Sequence, residues 1–180
     1  MKRINYDELH LNPFTLFDDY YGIVGVGKKE DANIMTISWG QMGILWHKKV
    51  VTLYIRESRY TKELLEKYDT VTVSFLDHEK YKKELALCGS ITGRGIDKFK
   101  ACNLNSVSDI DTPYTYVKEA FLVLKAKKIY ETKIDLNNIQ DKTIIEKFGL
   151  AKDNHFVYVC EIKQFCVDEK YFDEVIKNQE

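Results

Sequence analysis

Residues Thr70-Val71-Thr72-Val73-Ser74-Phe75 alternate polar and apolar at every step, and this period of two predicts a strand with Val71, Val73 and Phe75 on the core face. Tyr20 to Gly27 is apolar and carries Gly22, Gly25 and Gly27, and glycines inside a strand mark a bend or a close backbone approach. The polar turn of residues 28–33 then joins it to Ile34–Trp39, which predicts an antiparallel hairpin. In its second strand Met35, Ile37 and Trp39 point one way and Ile34, Thr36 and Ser38 the other, so two hydroxyls share a face. Val50 to Ile55 is a β-branched run and predicts an inner strand, and Ala120 to Ile129 alternates over a long strand. His155 to Ile162 predicts another, with Tyr158 and Cys160 on one face and Val157, Val159 and Glu161 on the other.

The pattern turns helical in five places. Thr61 is placed to cap a helix over Lys62–Tyr68 whose Leu64 and Leu65 face inward. Tyr81, Leu85 and Leu87 predict a helix over His78–Leu87, ended by Cys88-Gly89-Ser90. A glycine-flanked loop, Ile91 to Phe99, leads into a short helix with Asp97 as its cap, and Asn137 to Phe148 predicts a helix stopped by Gly149. Tyr171, Phe172, Val175 and Ile176 predict a C-terminal helix within residues 169–178. Residues 1–19 are polar with scattered aromatics and a turn at Asn12-Pro13, which suits an arm packed on the rest of the fold. With no repeat or linker, the expectation is a single domain over residues 1–180, its core at about 12–165. Its class is mainly β, an α+β domain with few parallel crossovers.

Composition narrows the function classes. A chain of 180 residues with 44% apolar and 13% aromatic residues has enough to bury a sizeable core and is not disordered. No apolar run is long enough to cross a bilayer, and the N-terminus turns acidic before any apolar core, so the expectation is a cytoplasmic protein without a signal peptide. The 27 basic and 28 acidic residues nearly cancel, which gives no electrostatic reason to expect nucleic acid or a membrane as partner. Cys88, Cys102, Cys160 and Cys166 show no CxxC spacing, so neither a metal centre nor a disulfide framework is indicated. There is no GxSxG elbow, HExxH pair, Walker loop or GxGxxG fingerprint.

Candidate chemistry gathers in residues 33–61. That stretch sets small hydroxyls, glycines and two arginines beside apolar β-type runs, which suits an anion attached to a flat ring. Arg56, Ser58, Arg59 and Thr61 offer guanidinium forks, hydroxyls and helix N-terminal amides to a phosphate. The other reading is that Thr61 only caps the helix and the arginines make surface pairs. Trp39, Trp46 and Tyr60 serve equally as apolar walls of a ring site or as ordinary large core residues, and Asn33 as a ligand neighbour or a turn residue.

The pattern NxMTxSWGxxGxxW at Asn33 to Trp46, followed after a strand by IRxSRYTxEL at Ile55 to Leu64, resembles the flavin reductase-like family, and the likeness runs on to about Ile162. The resemblance implies an antiparallel split β-barrel with peripheral helices, of about six strands, that binds FMN as a homodimer with the flavin near the subunit interface. It implies that the loop Arg56, Ser58, Arg59, Tyr60 and Thr61 contacts the phosphate. The strand Asn33, Met35, Thr36, Ile37, Ser38 and Trp39 then carries the ring. Ile91 to Phe99 resembles the family segment SGRDxDKF, with Thr92 in place of serine, and adds Ser90 and Arg94, with Lys98 and Phe99 beside them. Glu57 and Lys49 stand where relatives commonly have proline, and Glu57 would oppose an anion if it turned inward. His155 matches a histidine of the family and receives no chemical role. Two functions follow: an oxidoreductase passing electrons from NAD(P)H through flavin to an acceptor, with a redox partner protein in view, or an FMN-binding electron carrier lacking its own nicotinamide site. A domain for a ligand other than flavin is a third.

Overall fold

The computed structural model describes residues 1–28, 31–109 and 113–175. Its strands are β1 (Lys2–Ile4), β2 (Gly22–Val26), β3 (Asn33–Ile37), β4 (Gly40–Leu45), β5 (Lys48–Arg56), β6 (Thr70–Phe75), β7 (Ser106–Ser108), β8 (Thr115–Val117), β9 (Leu122–Lys133) and β10 (His155–Val167). Its α-helical segments are α1 (Pro13–Thr15), α2 (Tyr60–Lys67), α3 (His78–Ser90), α4 (Lys98–Ala101), α5 (Thr143–Lys147) and α6 (Phe172–Val175). One eight-stranded sheet runs in the order β3-β2-β6-β9-β10-β5-β4, with β1 added on β10, and every pairing is antiparallel. β7 and β8 form a separate ribbon.

The two ends of the strand path, β3 and β4, are consecutive in sequence, joined by Ser38 and Trp39. Their inner faces meet: Met35 and Ile37 of β3 share one buried cluster with Val51, Leu53 and Ile55 of β5, Val73 and Phe75 of β6, and Tyr158 and Cys160 of β10. A sheet whose opposite ends share a core is rolled, and the fold is a mainly β, split antiparallel barrel with peripheral helices. Apolar burial around this closed interior is the main stabilising term.

A second cluster lies outside the barrel. Ile23 and Ile34, on the outer faces of β2 and β3, pack with Leu85 and Cys88 of α3 and with Phe99, Cys102 and Leu104. This layer changes one expectation. All six residues of β6 are buried, including the polar face, because β8 lies over it: Thr72 Oγ1 donates to the Thr115 carbonyl at 2.7 Å and Ser74 Oγ accepts from Val117 N at 3.3 Å. Gly25 is the residue that permits this closeness, since a Cβ there would sit 2.5 Å from Thr72 Oγ1 and 2.7 Å from the Thr115 carbonyl oxygen.

The elements otherwise differ from expectation mainly in extent. β9 and β10 run longer than their alternation because bulges after Val159 and Ile162 reset the pleat. The expected helix over Asn137–Phe148 is a 3₁₀ turn at Leu136–Asn138 followed by α5, with Gly149 at φ 62° ending it. α2 begins at Tyr60 with Arg59 as N-cap, not at Lys62 with Thr61 as cap. α3 extends through Ser90, and Asp97 caps α4 through Lys100 N at 3.2 Å. The N-terminal arm contributes β1, and the C-terminal helix is α6 up to Val175, residues 176–178 lying outside the described residues. Among the described residues no helix is long and apolar enough to cross a membrane.

Candidate functional site

Arg59, Tyr60 and Thr61 stand where β5 ends and α2 begins, and they line a cavity of about 110 Å³ together with Asn33, Met35, Ser58, Ser90 and Arg94. Eight of the thirteen residues singled out from sequence therefore converge. At roughly 30 Å³ per water molecule the space suits a phosphate-sized group and excludes a fused ring.

Its electrostatics are one-sided. No side chain caps α2; the Lys62 amide bonds back to the Arg59 carbonyl at 2.9 Å, which leaves the Tyr60 and Thr61 amides at the positive end of the helix dipole. The Arg59 guanidinium has no carboxylate partner among the described residues, and neither does Lys98, which is 2% exposed and lines the same cavity. Lys98 Nζ donates to the Cys88 carbonyl at 2.5 Å, and burial, with Arg59 nearby, holds its ammonium below the usual lysine range. Hydrogen bonding with the Cys102 thiol, with Lys98 close by, brings the Cys88 thiol below its usual range against the effect of burial. Arg94 leans over the Tyr60 ring at 5.7 Å and pairs with Glu63.

Asn33 opens β3 at 4% exposure, its Nδ2 donating to Thr61 Oγ1 at 3.0 Å. Its Oδ1 is buried without a hydrogen-bond partner in the structure, a costly arrangement for an amide oxygen. Rotated by half a turn, the same amide accepts from the Thr61 hydroxyl and presents Nδ2 as donor to an anion, which satisfies every group. A phosphate thus fits both the charge and the orphaned amide. Thr61, 1% exposed, serves Asn33 and not a helix cap.

Arg56 and Ser58 do different work from that expected. Arg56 donates to the carbonyls of Asp153 and Phe148, both at 3.3 Å, and pairs with the Asp153 carboxylate at 3.8 Å. Ser58 donates its hydroxyl to Asp153 at 2.7 Å and its amide at 3.0 Å. Burial pushes Asp153 up, but the Ser58 hydrogen bonds and Arg56 outweigh it and hold the carboxyl below its usual range. These contacts pin the 148–153 segment against the end of β5. Glu57 turns away from the cavity, with Lys133 Nζ at 2.6 Å.

At the other end of β3 the chain opens on a chamber of about 880 Å³, within the range of cofactor sites. Five residue steps separate Asn33 from Ser38, about 16 Å at a strand rise of ~3.3 Å, the scale of a ring joined to a phosphate by a sugar-alcohol chain. Ser38 and Trp39 line this chamber, with Phe14 and Phe17 of the N-terminal arm, Phe148 and His155. The Trp39 ring lies 5.0 Å from His155 and 5.2 Å edge-on from Phe148. His155 is 4% exposed, and burial, reinforced by Arg56, keeps its pKa below the usual value, so it is neutral at pH 7. Flat apolar walls, a neutral imidazole and the hydroxyls of Ser38 and Tyr54 fit an uncharged ring system, with the Asp18 carboxylate on the same lining.

Three expected residues lie elsewhere. Thr36 donates its hydroxyl to the Leu85 carbonyl at 2.7 Å and does not reach the chamber, and the Ile37 side chain, 6% exposed, packs inside the barrel, so that what Ile37 offers a ring is the expected backbone amide. Trp46 is 61% exposed in the turn between β4 and β5 and faces Tyr130, away from Trp39. Sequence reasoning missed the arm residues Phe14 and Phe17, which carry no motif, and gave His155 no role. Among the described residues no cluster of His, Cys, Asp or Glu is placed to hold a metal ion.

Comparison with known proteins bears on this arrangement. The search of curated proteins gave no match. Among solved structures the chain is similar to flavoredoxin of Desulfovibrio vulgaris (TM-score 0.67, 20% identity, covering 88% of this chain and 75% of that one). It is also similar to a Shewanella frigidimarina protein with a split barrel domain (0.66, 15%, 87% and 73%). A third is an NADH:FAD oxidoreductase of Streptomyces globisporus (0.63, 13%, 83% and 76%). At these identities the likeness is one of fold. The model of the flavin reductase like domain matches residues 17–177, which takes in the small cavity and all of the chamber's lining but Pro13 and Phe14, and the chain belongs to that family.

Proposed function

We propose that this protein is an FMN-binding oxidoreductase that takes electrons from NAD(P)H and passes them to a further acceptor. The observation that carries the proposal is the convergence of two cations without carboxylate partners among the described residues, Arg59 and Lys98, on a small cavity at one end of β3, while the other end opens on an apolar chamber. Arg59, Lys98, the first-turn amides of α2 and Asn33 hold the phosphate; Ser38, Trp39 and Phe148 bound the ring. Bound flavin supplies reversible two-electron chemistry, accepting hydride from a reduced nicotinamide. The chain's own share is to cover the ring with Phe17 and Phe148 and to keep the imidazole of His155 uncharged beside it. Arg56 and Ser58 act one step back, fixing the segment that bears Phe148.

The likeness to flavoredoxin supports a second reading, an FMN-binding electron carrier fed by another protein. A homodimer is part of the proposal, supported by Ile44 and Trp46, 69% and 61% exposed on neighbouring positions of one hairpin. The test is a visible spectrum after FMN addition and removal of free dye, then anaerobic NADH or NADPH. Retained flavin that bleaches supports the oxidoreductase; retained flavin that does not bleach selects the carrier; no retention removes the assignment of the phosphate to Arg59 and Lys98.

A further inference from the structure

Two buried thiols abut the phosphate-sized cavity. Cys88, near the end of α3, is 0% exposed and Cys102, which follows α4, is 1% exposed; both belong to the outer cluster with Leu85, Phe99 and Leu104. Their side chains hydrogen-bond each other, and Thr36 of β3 also bonds Cys88, so the pair is held from three elements. Nothing in the proposed flavin chemistry uses it. The other two cysteines stand apart: Cys160 faces the barrel interior, and Cys166 lies against Gln164 at 4.0 Å.

The pair is linked to the cavity through Lys98. Its Nζ donates to the Cys88 carbonyl at 2.5 Å, and Cys102 N donates to the Lys98 carbonyl at 3.0 Å, so the lysine is tied to both cysteines. The chain between the cysteines carries Ser90, Gly93, Arg94 and Lys98, one wall of the cavity. That wall has no slack at Gly93, where a Cβ would come 1.9 Å from Asn33 Oδ1 and 3.0 Å from Tyr60 Cδ1. A disulfide brings its sulfurs to about 2.0 Å, closer than hydrogen-bonded thiols lie, so forming one draws α4 and its lysine toward α3. A binding site holds its groups to within about 0.5 Å, and a shift of this kind costs it affinity. With the cavity empty, Lys98 has no carboxylate partner among the described residues, and its ammonium favours the thiolate of Cys88, whose thiol, bonded by Cys102 and beside Lys98, is held below its usual range. A phosphate in the cavity takes over as the partner of that ammonium.

We propose that Cys88 and Cys102 are a dithiol that a hydroperoxide oxidises to a disulfide, and that closing it loosens the hold of the adjoining cavity on phosphate. Shut from solvent, the pair excludes bulky oxidants and suits a water-sized one. The Cys88 thiolate attacks one oxygen of hydrogen peroxide, the O–O bond breaks, and the departing hydroxide takes up the thiol's proton to leave as water. The Cys102 sulfur then displaces hydroxide from the Cys88 sulfenic acid, its own proton completing the second water. The dithiol gives up two electrons and two protons, and the peroxide is reduced to two waters. The inference rests on the proposed function for its phosphate but not for its thiol chemistry. In the test, the full chain without bound flavin is treated with hydrogen peroxide, its thiols are counted after unfolding, and the bridge is mapped by mass spectrometry of a digest. FMN is titrated by fluorescence before oxidation, after it, and after dithiothreitol. The expected result is a fall from four thiols to two with Cys88 joined to Cys102, FMN binding about tenfold weaker, and recovery on reduction. FMN added beforehand should slow the oxidation, since its phosphate draws Lys98 from the thiolate. Cys102→Ser should bind FMN as the reduced wild type does, escape the tenfold loss, and stop at a Cys88 sulfenic acid that dimedone labels; Cys102→Ala gives the same reading should serine disturb the packing. Four thiols remaining, a bridge through Cys160 or Cys166, or a Cys88–Cys102 bridge with FMN affinity unchanged overturns the inference while leaving the proposed function standing. Reduced protein that binds no FMN removes the proposed function and the coupling with it, and the thiol count still judges the bridge.

Discussion

Arg56 and Arg59 are three positions apart and alike in chemistry, yet their surroundings give them different tasks. Arg56 spends its donors on two carbonyls and Asp153, whereas Arg59 faces a cavity with no carboxylate partner among the described residues. Arg59→Ala should therefore weaken FMN binding about 10- to 100-fold, the loss of a charge-assisted hydrogen bond, with little change in stability. Arg56→Ala should do the reverse, lowering unfolding free energy by about 1–3 kcal/mol with a smaller effect on affinity. Isothermal titration beside urea melts separates the two, and equal effects of both substitutions on affinity would return Arg56 to the phosphate site. Spacing alone does not make this distinction, because Asp153, the residue that claims Arg56 and Ser58, is about a hundred positions away. His155 shows the same limit: the neighbours that keep it neutral come from a turn, a strand end and an arm that no local pattern links.

At the scale of elements, legibility followed how local the cause was. β6 was visible in full because a strict alternation needs only its own six residues, and the cap of α4 by Asp97 because a cap needs only four. β4 went unassigned. Its turn at Trp46 and His47 has φ of 50° and 57°, a conformation usually supplied by Asn-Gly, so the hairpin left no familiar signature. β7 and β8 are three residues each and owe their place to the barrel beneath them. That dependence runs both ways through Gly25. Gly25→Ala must displace Thr72 or the backbone at Thr115 and should cost about 1–3 kcal/mol, read as a lower urea midpoint with unchanged slope. A neutral outcome would mean that the ribbon is not seated on β2 as described.

For the whole molecule, buried ionisable groups tie the chamber to pH. His155 is shifted down by burial, so the unfolded chain, with a histidine pKa of about 6.5, takes up the proton first. The stability it contributes is fully present above about pH 6.5 and is lost as pH falls from there through the folded value; Asp153, also shifted down, adds a separate loss below the ordinary carboxylate range. His155→Gln should flatten the decline below pH 6.5 in denaturant melts, leaving the acid limb in place. An unaltered profile in that variant would show that the imidazole is not held neutral. The placement of the two tryptophans has an optical consequence. Trp39 touches His155 and Phe148 at the chamber, while Trp46 sits in an exposed turn far along the sheet. A chain carrying Trp46→Phe thus emits from the chamber alone, and its intrinsic fluorescence becomes a built-in gauge of what enters there and of the charge on the neighbouring imidazole.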